Sequence, residues 1–346
     1  MKRIRLGIVG CGAVTRIYHL PASKLVPSIE IAVLVDKNLE LAKTLSKKYK
    51  IPYFQCDYHE TFDLVDGIIV ALPNSLHASV SDDFLKNKIP VLCEKPMATS
   101  SSEAKGMLVA SRKYDTPLAV GFMRRFYRSS RRVKKIISSR ILGELDHFDF
   151  EEGNIYQWNT TSGFSIRKDT AGGGVLIDTG SHTLDLLLWW LDGSVMNFDY
   201  KDDSYGGVEA NCILELAMAN EGKQISGRIE LSRERKLRNS CKIFGSKGWL
   251  EFFPHDTENV QLHLIEGMKS NVMKTESLIQ NANDLTYFGM QLLDFGCVCA
   301  GYKKPYVDGS LAYRGIKIIE DCYKNKKILE MPWITTGFDF SEKTMG

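Results

Sequence analysis

The stretch GIVGCGAVT, Gly7 to Thr15, decides the fold of this 346-residue chain. It overlaps the end of a short β-branched run and opens a segment with helical spacing, so its glycines form a turn between a strand and a helix. Backbone N–H groups in such a turn can face the pyrophosphate of a dinucleotide. A second β-branched run ends in Asp36, whose carboxylate can accept hydrogen bonds from the adenosine ribose. Strand, turn, helix, strand and acid therefore come in the order that a dinucleotide site requires.

Short apolar runs alternate with helical patterns through the first third of the chain, which predicts βαβ units and a parallel sheet. These runs cover residues 4–9, 29–35, 67–71, 91–93 and 118–122. Longer apolar runs follow, with hairpin turns between some of them, before and after one predicted helix near residues 174–191. They predict a mostly antiparallel sheet. Those runs cover residues 145–151, 195–200, 210–219, 223–231, 240–244, 249–252 and 261–265.

We therefore expect an α/β protein of two domains, since a single core rarely grows beyond about 250 to 300 residues. Residues 1–122 are predicted to form a Rossmann domain with a doubly wound parallel sheet. Residues 123–346 are predicted to form an α+β domain with a mostly antiparallel sheet. The C-terminal segment of this second domain can pack back on the first.

The composition is that of an ordinary globular protein, with 44% hydrophobic and 25% charged residues. A net charge of +3 is too small to indicate nucleic acid or an anionic membrane as a partner. The sequence has no run of about 18 apolar residues, and a strand pattern begins at the N-terminus, where it leaves no room for a signal peptide. The eight cysteines form no CxxC pair and are expected to be reduced. These features predict a cytoplasmic protein.

The carboxyl ends of parallel strands face the ligand crevice, so the residues after three of these strands are candidates for cofactor binding. They are Gly10, Cys11, Gly12, Ala13, Val14, Asp36, Lys37, Ala71, Pro73, Asn74 and His77. Asp36 would repel a 2'-phosphate and favours NAD over NADP, although Lys37 could pair with that phosphate. His77 fits a surface histidine at a helix start equally well. Thr15 replaces the third glycine of the fingerprint, which predicts looser packing of helix on strand.

A second motif is LCEKPMA, Leu92 to Ala98, in which an apolar run ends in Glu94 and Lys95. Taken alone, this is typical of a solvated strand end. If the strand is parallel to the others, however, Lys95 enters the crevice beside the nicotinamide. A lysine at that place can donate or accept a proton.

A third motif is AGGGVLIDTGSHTLDLLLWWL, residues 171–191, in which Asp178, His182 and Asp185 share one face of an apolar helix. An unsatisfied buried polar group costs about 1–3 kcal/mol, so these side chains need partners or a ligand. A site for a substrate hydroxyl, a buried structural network and a metal site all remain open. No further histidine or cysteine cluster supplies metal ligands, and we predict no bound metal.

In order and spacing, these motifs resemble those of the Gfo/Idh/MocA family, named after glucose-fructose oxidoreductase and inositol dehydrogenase. The resemblance covers nearly the whole chain and includes ALPNSLH, GFMRRF and AGYKKPYVDG. It implies that residues 123–346 bind the substrate and that their large, open, mostly antiparallel sheet holds a homodimer or homotetramer together. It also implies that Lys95 is the catalytic acid or base and that His182 and Asp178 complete the site. Glu94 and Met123 would lie beside the cofactor, although many relatives have Asn in place of Met123.

The substrate is expected to lie near the segment GNIYQWNTTSGFSIRKDTAGGG, residues 153–174. Trp158 could stack on a sugar face, and Lys168 could hold a phosphate or carboxylate. Arg124 could serve a phosphorylated or nucleotide-linked sugar, or it could pair with an acid at the domain junction. A surface loop has the same composition, so the sequence leaves these roles open.

We expect an NAD(P)-dependent oxidoreductase that moves a hydride between the nicotinamide and a secondary hydroxyl or ketone of a sugar, sugar derivative or cyclitol. The sequence favours His182 as the group that contacts the reacting oxygen and Lys95 as its partner, but it leaves open which of them moves the proton. One alternative is an NAD-dependent glycoside hydrolase or lyase that works through transient oxidation. A lesser one is a catalytically silent dinucleotide sensor.

Overall fold

The computed structural model describes residues 3–157, 163–220, 222–266, 269–274 and 283–331. Two β-sheets organise these residues, the first with six strands and the second with nine. Within the described residues, no helix is long and apolar enough to cross a membrane. The cytoplasmic location stays a prediction.

The first sheet is parallel throughout, in the order β3-β2-β1-β4-β5-β6. Its strands are β1 (Ile4–Val9), β2 (Ile29–Val35), β3 (Tyr53–Gln55), β4 (Gly67–Val70), β5 (Val91–Cys93) and β6 (Leu118–Val120). The sequence predicted all of these except β3. That strand lies at the sheet edge, has only three residues and buries none of them fully, so it leaves no apolar run to detect.

Helices alternate with the strands of the first sheet along the chain. They are α1 (Leu20–Ser23), α2 (Leu39–Tyr49), α3 (His77–Lys86) and α4 (Ser101–Lys113). A π-helical turn, Thr15–His19, precedes α1, and a 3₁₀ turn, Met123–Phe126, follows β6. The Ser100 side chain caps α4 in a capping box with Glu103, which satisfies donors at the helix start.

The second sheet has the order β14-β13-β12-β11-β7-β10-β9-β8-β15. Its strands are β7 (Leu145–Gly153), β8 (Ser194–Asp202), β9 (Asn211–Asn220), β10 (Lys223–Ser232), β11 (Ser240–Gly245), β12 (Gly248–Phe252), β13 (Val260–Glu266), β14 (Lys269–Lys274) and β15 (Lys327–Ile328). Seven of them were predicted, and β14 and β15 were not. The sheet is mostly antiparallel, but β7 pairs with β10, and β8 with β15, in parallel.

Five further helices complete the described part of the chain. They are α5 (Arg128–Ser138), α6 (Lys168–Ala171), α7 (Val175–Leu191), α8 (Asp284–Cys299) and α9 (Gly309–Lys324). Helix α7 packs on the second sheet, where Leu184 and Trp190 share a core with Phe150. Helix α8 packs on the first sheet instead, through Phe288 and Leu292. The predicted division of the chain at residue 122 falls between β6 and the 3₁₀ turn.

Helix α9 belongs to both cores. Ala312 and Ile316 pack in the cluster that includes the strands of the first sheet. Ile318, Ile319 and Cys322 pack in the cluster of the second sheet. The two sheets are therefore joined by shared apolar packing, and Asp178 of α7 contacts Lys95 at the carboxyl end of β5.

Candidate active site

The glycine turn after β1 has the shape that a dinucleotide needs. Gly10 has a φ of +103°, and a Cβ at this position would lie 2.2 Å from the carbonyl oxygen of Ala71, so a larger residue does not fit. A Cβ at Gly12, in contrast, would meet nothing within 4 Å. The buried Thr15 hydroxyl donates a hydrogen bond of 2.6 Å to the carbonyl of Gly10 and so braces the turn from inside. Open space beside Gly12 and N–H groups at a helix start fit a pyrophosphate.

Asp36 lies at the carboxyl end of β2, close to this turn. One of its carboxylate oxygens accepts a hydrogen bond of 2.8 Å from the backbone N–H of Cys11, and the other accepts one of 2.8 Å from Asn38. The carboxylate is therefore held at the edge of the turn, where it fits ribose hydroxyls and disfavours a 2'-phosphate. Lys37 beside it is exposed.

The predicted cofactor residues after β4 contact the protein itself. Asn74 is buried and donates a hydrogen bond of 2.8 Å to the carbonyl of Ala171. His77 is only 1% exposed, and its ring nitrogens lie 2.7 Å from the carbonyl oxygen of Pro96 and 2.8 Å from that of Leu72. The alternative of a surface histidine is therefore wrong. Ala71 and Pro73 line the same loop, and their contact with the cofactor stays a prediction.

Lys95 does not end a solvated strand. β5 is parallel to both of its neighbours, so Lys95 lies at the crevice end of the sheet. Its Nζ donates to Asp178 in α7, at 2.5 Å to the carboxylate Oδ1 and 3.2 Å to the backbone oxygen. The structure thus brings together two of the three predicted catalytic residues, which are 83 positions apart in the sequence.

The other carboxylate oxygen of Asp178 accepts a hydrogen bond of 3.0 Å from Arg233, which follows β10. Arg233 also donates to the carbonyl of Gly174 at 3.0 Å, just before α7 begins. Burial alone would raise the pKa of Asp178, but the positive charges of Lys95 and Arg233 outweigh it and lower that pKa. Arg233 was not predicted as a site residue, because it stands in the charged run SRERK, which is typical of a solvated loop.

His182 lies one helical turn beyond Asp178. Its ring meets the edge of Phe122 at a centroid distance of 5.7 Å. Nδ1 is buried and has no hydrogen-bond partner among the described residues. Burial, together with the positive charges of Arg124 and Lys95, holds the pKa of His182 well below its ordinary value. The imidazole is therefore neutral near pH 7 and can accept a proton.

The third polar residue on this helix face, Asp185, has a structural role. Its side chain is 2% exposed and forms two hydrogen bonds, of 2.7 and 2.5 Å, with Arg125. Arg124 pairs in the same way with Glu152, at 2.8 and 2.6 Å. Of the two roles that the sequence allows for Arg124, the ion pair with an acid is thus present. Met123, beside it in the 3₁₀ turn, is half-buried against the cores of the first sheet.

The remaining predicted residues are less informative. Trp158 lies outside the described residues, and Lys168 is exposed at the start of α6. Glu94 is 7% exposed, and its carboxylate contacts His19 and the backbone N–H of Lys95. In the ranges described, no group of three or more histidine, cysteine, aspartate or glutamate side chains could hold a metal ion.

Two family models match the chain. The model of the oxidoreductase family with an NAD-binding Rossmann fold matches residues 4–122, and that of the GFO/IDH/MocA C-terminal domain matches residues 130–251. The chain belongs to the GFO/IDH/MocA family. The GFO/IDH/MocA protein is thus an NAD-binding oxidoreductase.

Curated relatives of this GFO/IDH/MocA protein include the rhizopine catabolism protein MocA of Rhizobium meliloti, which is 28% identical over 278 residues. That match covers 77% of this chain and 84% of the relative. D-glucoside 3-dehydrogenase of Escherichia coli is 28% identical over 193 residues, which cover 54% of each chain. Both similarities agree with the family assignment.

Solved structures show the same fold. Levoglucosan dehydrogenase, in complex with NADH and levoglucosan, superposes with a TM-score of 0.83 at 19% identity, over 94% of this chain and 98% of the other. The aldose-aldose oxidoreductase of Caulobacter crescentus superposes with a TM-score of 0.81 at 22% identity, over 94% and 97%.

Proposed function

We propose that this protein is an NAD-dependent dehydrogenase or ketoreductase that acts on a secondary hydroxyl of an uncharged sugar or cyclitol. Lys95, Asp178 and His182 are its proposed catalytic residues. One observation carries the proposal: the ion network Lys95–Asp178–Arg233 lies beside a neutral His182. Lys95 forms an ion pair with Asp178, whereas burial keeps His182 neutral, so the two proposed proton-handling groups differ in their electrostatic surroundings.

This difference suggests separate roles for Lys95 and His182 in alcohol oxidation. Bound NAD supplies the acceptor for the hydride. Lys95 is bound to the Asp178 carboxylate in an ion pair, whereas His182 is neutral and can accept the hydroxyl proton without breaking one. Nδ1 of His182 is fully buried, which leaves Nε2 to take the hydroxyl proton. The Lys95 ammonium stabilises the negative charge that develops on the same oxygen.

The pairing of the arginines supports an uncharged substrate. Arg124, Arg125 and Arg233 each bind a carboxylate on a neighbouring element. A phosphate or a nucleotide diphosphate would compete with these carboxylates, and separating Arg124 or Arg125 from its buried partner is costly. Sugar and cyclitol hydroxyls need no free cation. Among the cations predicted to contact the substrate, Lys168 remains exposed.

The second sheet supports the prediction of a homo-oligomer. Helices α5 and α7 contact one face of this sheet. On the other face, rings from four adjacent strands form a row: His147 stacks on Phe244 at 4.1 Å, and Trp249 stacks on His263 at 3.6 Å. All four side chains keep part of their surface accessible to solvent. A second copy of the chain would cover this partly aromatic face.

A substrate screen tests the proposed function. Sugars, inositols, sugar phosphates and nucleotide sugars are incubated with NAD and NADP in parallel while the absorbance of the reduced cofactor is followed. We expect turnover of an uncharged polyol with NAD. Cleavage of a glycoside without accumulation of NADH would favour the hydrolase or lyase instead, and preferred turnover of a phosphorylated sugar would contradict the uncharged substrate.

The Lys95→Ala variant tests the site. We expect it to lose turnover and still bind NADH, as measured by quenching of protein fluorescence. Lys43→Ala, which removes an exposed lysine paired with Glu40, is the matched control. More than a few per cent of residual activity in Lys95→Ala would exclude the catalytic role.

A further inference from the structure

Two buried histidines contact the segment that carries Lys95, one on each side of the lysine. His19, at the end of the π-helical turn, places its Nε2 2.8 Å from Oε1 of Glu94. His77, at the start of α3, places its Nδ1 2.7 Å from the carbonyl oxygen of Pro96. Both histidines are at most 1% exposed, so water does not compete for these contacts.

The contact of His19 passes to the lysine through Glu94. One oxygen of this carboxylate contacts His19, and the other accepts a hydrogen bond of 3.1 Å from the backbone N–H of Lys95. Gly121 closes the space behind it, since a Cβ at that position would lie 2.9 Å from Oε2. The carboxylate is therefore enclosed between the imidazole ring and the backbone of the lysine.

The local structure fixes the orientation of His19. A π-helical turn is rare, and it often occurs at a functional site. Here it ends at His19, whose ring meets the edge of Phe288 in α8 at 5.3 Å. Tyr18 stacks on the same phenylalanine at 4.6 Å. Nδ1 of His19 has no partner among the described residues, so the contact with Glu94 is its only hydrogen bond to them.

His77 braces the other side of the lysine. Its Nε2 lies 2.8 Å from the carbonyl oxygen of Leu72, in the loop after β4, while Nδ1 reaches Pro96. The ring thus joins the loops after two neighbouring strands. Burial lowers the pKa of His77, whereas its contacts with the carbonyls of Pro96 and Leu72 act in the opposite direction.

We propose that His19 and His77 are positioning residues for Lys95, which act through Glu94 and Pro96 without contact with the substrate. This inference rests on the proposed role of Lys95 in the reaction. His19 follows the glycine turn, and His77 follows the loop after β4, so both belong to elements predicted to hold the dinucleotide. The two histidines therefore fix the lysine relative to those elements.

The test compares His19→Leu and His77→Leu with His19→Gln and His77→Gln, which keep a side-chain donor. Acetylation of Lys95 by acetic anhydride is measured by mass spectrometry as a function of pH, with NADH bound, together with kcat, KM and the Kd for NADH. His59→Gln changes an exposed histidine and is the matched control. Exposed Lys168 serves as an internal reference for the reagent.

In the leucine variants, we expect Lys95 to react at least about threefold faster or slower than in the parent, while Lys168 is unchanged. A displaced catalytic group can cost up to about 100-fold in rate, so kcat should fall between about 10-fold and 100-fold. The Kd for NADH should change by less than about threefold. Each glutamine variant should recover part of the loss.

Unchanged reactivity of Lys95 in variants that fold would overturn the proposal, and so would loss of NADH affinity at an unchanged kcat. The glutamine variants give the same measurement if a leucine variant does not fold. Labelling needs no substrate, so the outcome is separable from the proposed function. The leucine variants could change the acetylation rate of Lys95 while Lys95→Ala stays active. In that case the histidines still position Lys95, but the catalytic role of the lysine is wrong.

Discussion

At the scale of single residues, the charge state of His182 determines in which pH range the proposed oxidation can proceed. The ring takes a proton only while it is neutral. Its pKa lies well below the ordinary value of 6.5, because of burial and of the positive charges on Arg124 and Lys95. As the pH falls through that lowered pKa, the ring becomes protonated and oxidation stops. We therefore expect the acid limb of the kcat/KM profile to lie below pH 6.5.

Arg124→Gln should move this limb. Loss of the Arg124 charge removes one cause of the lowered pKa, and the unpaired Glu152 acts in the same direction. The acid limb of kcat/KM should therefore shift to higher pH by about one unit, the usual size for loss of a nearby charge. The double variant Arg124→Gln/Glu152→Gln, which adds no unpaired charge, should shift it less. An unchanged profile in both would show that another group titrates.

Arg233→Gln should remove one of the two cations that bind the Asp178 carboxylate. Without this cation, the pKa of Asp178 rises, and the carboxylate loses a hydrogen bond that orients it toward Lys95. We expect kcat/KM to fall by up to about 100-fold. As the pH is lowered, the variant should also lose its activity at a higher pH than the parent does. Arg228→Gln, which removes an arginine paired with Glu230 on the same strand, is the control. Equal losses in both variants would point to a general effect on the sheet.

The spacing of Asp178 and His182, and the expected direction of the strand before Lys95, predicted that these residues lie close together, and the structure places Lys95 against Asp178. Arg233 could not be predicted in the same way, because its partner Asp178 is 55 residues away and no local pattern marks the pair. Asp185 was placed on the correct helix face, but burial against Arg125 gives it a structural role. Sequence spacing shows which residues share a face and does not show what that face meets.

At the scale of elements, the buried pair Arg125–Asp185 joins the 3₁₀ turn after β6 to the middle of α7. Removal of one partner leaves an uncompensated buried charge. We expect Arg125→Met to lower the free energy of unfolding by about 3–5 kcal/mol, measured by urea denaturation. The double variant Arg125→Met/Asp185→Leu should recover most of this loss. If the double variant is as unstable as the single one, the lost packing of the side chains is the cause, and not the unpaired charge.

The elements missed from the sequence are short or lie at a sheet edge. β3 has three residues and β15 two, which is too few for a period-2 pattern. The parallel pairing of β7 with β10 was not foreseen either, because the paired residues of these strands lie 79 positions apart and no turn joins them. Strands joined by tight turns, such as β11 and β12, were predicted without difficulty.

At the scale of the whole molecule, the aromatic row on the open sheet face should decide the oligomeric state. Trp249→Glu places a negative charge between Phe244 and His263. We expect the parent to sediment as a dimer or tetramer and the variant as a smaller species, measured by analytical ultracentrifugation. Tyr302→Glu, at an exposed site after α8, is the control. A monomeric parent would show that this face is not an interface.

Helix α9 has a consequence for how the molecule loses its structure. Its side chains contribute to the cores of both sheets. Unfolding of either sheet would therefore expose apolar side chains of α9 and loosen the core of the other sheet. The two halves should therefore unfold together in a single calorimetric transition. A chain that stops before Gly309 would lose part of both cores at once, so the first 308 residues do not contain either domain complete.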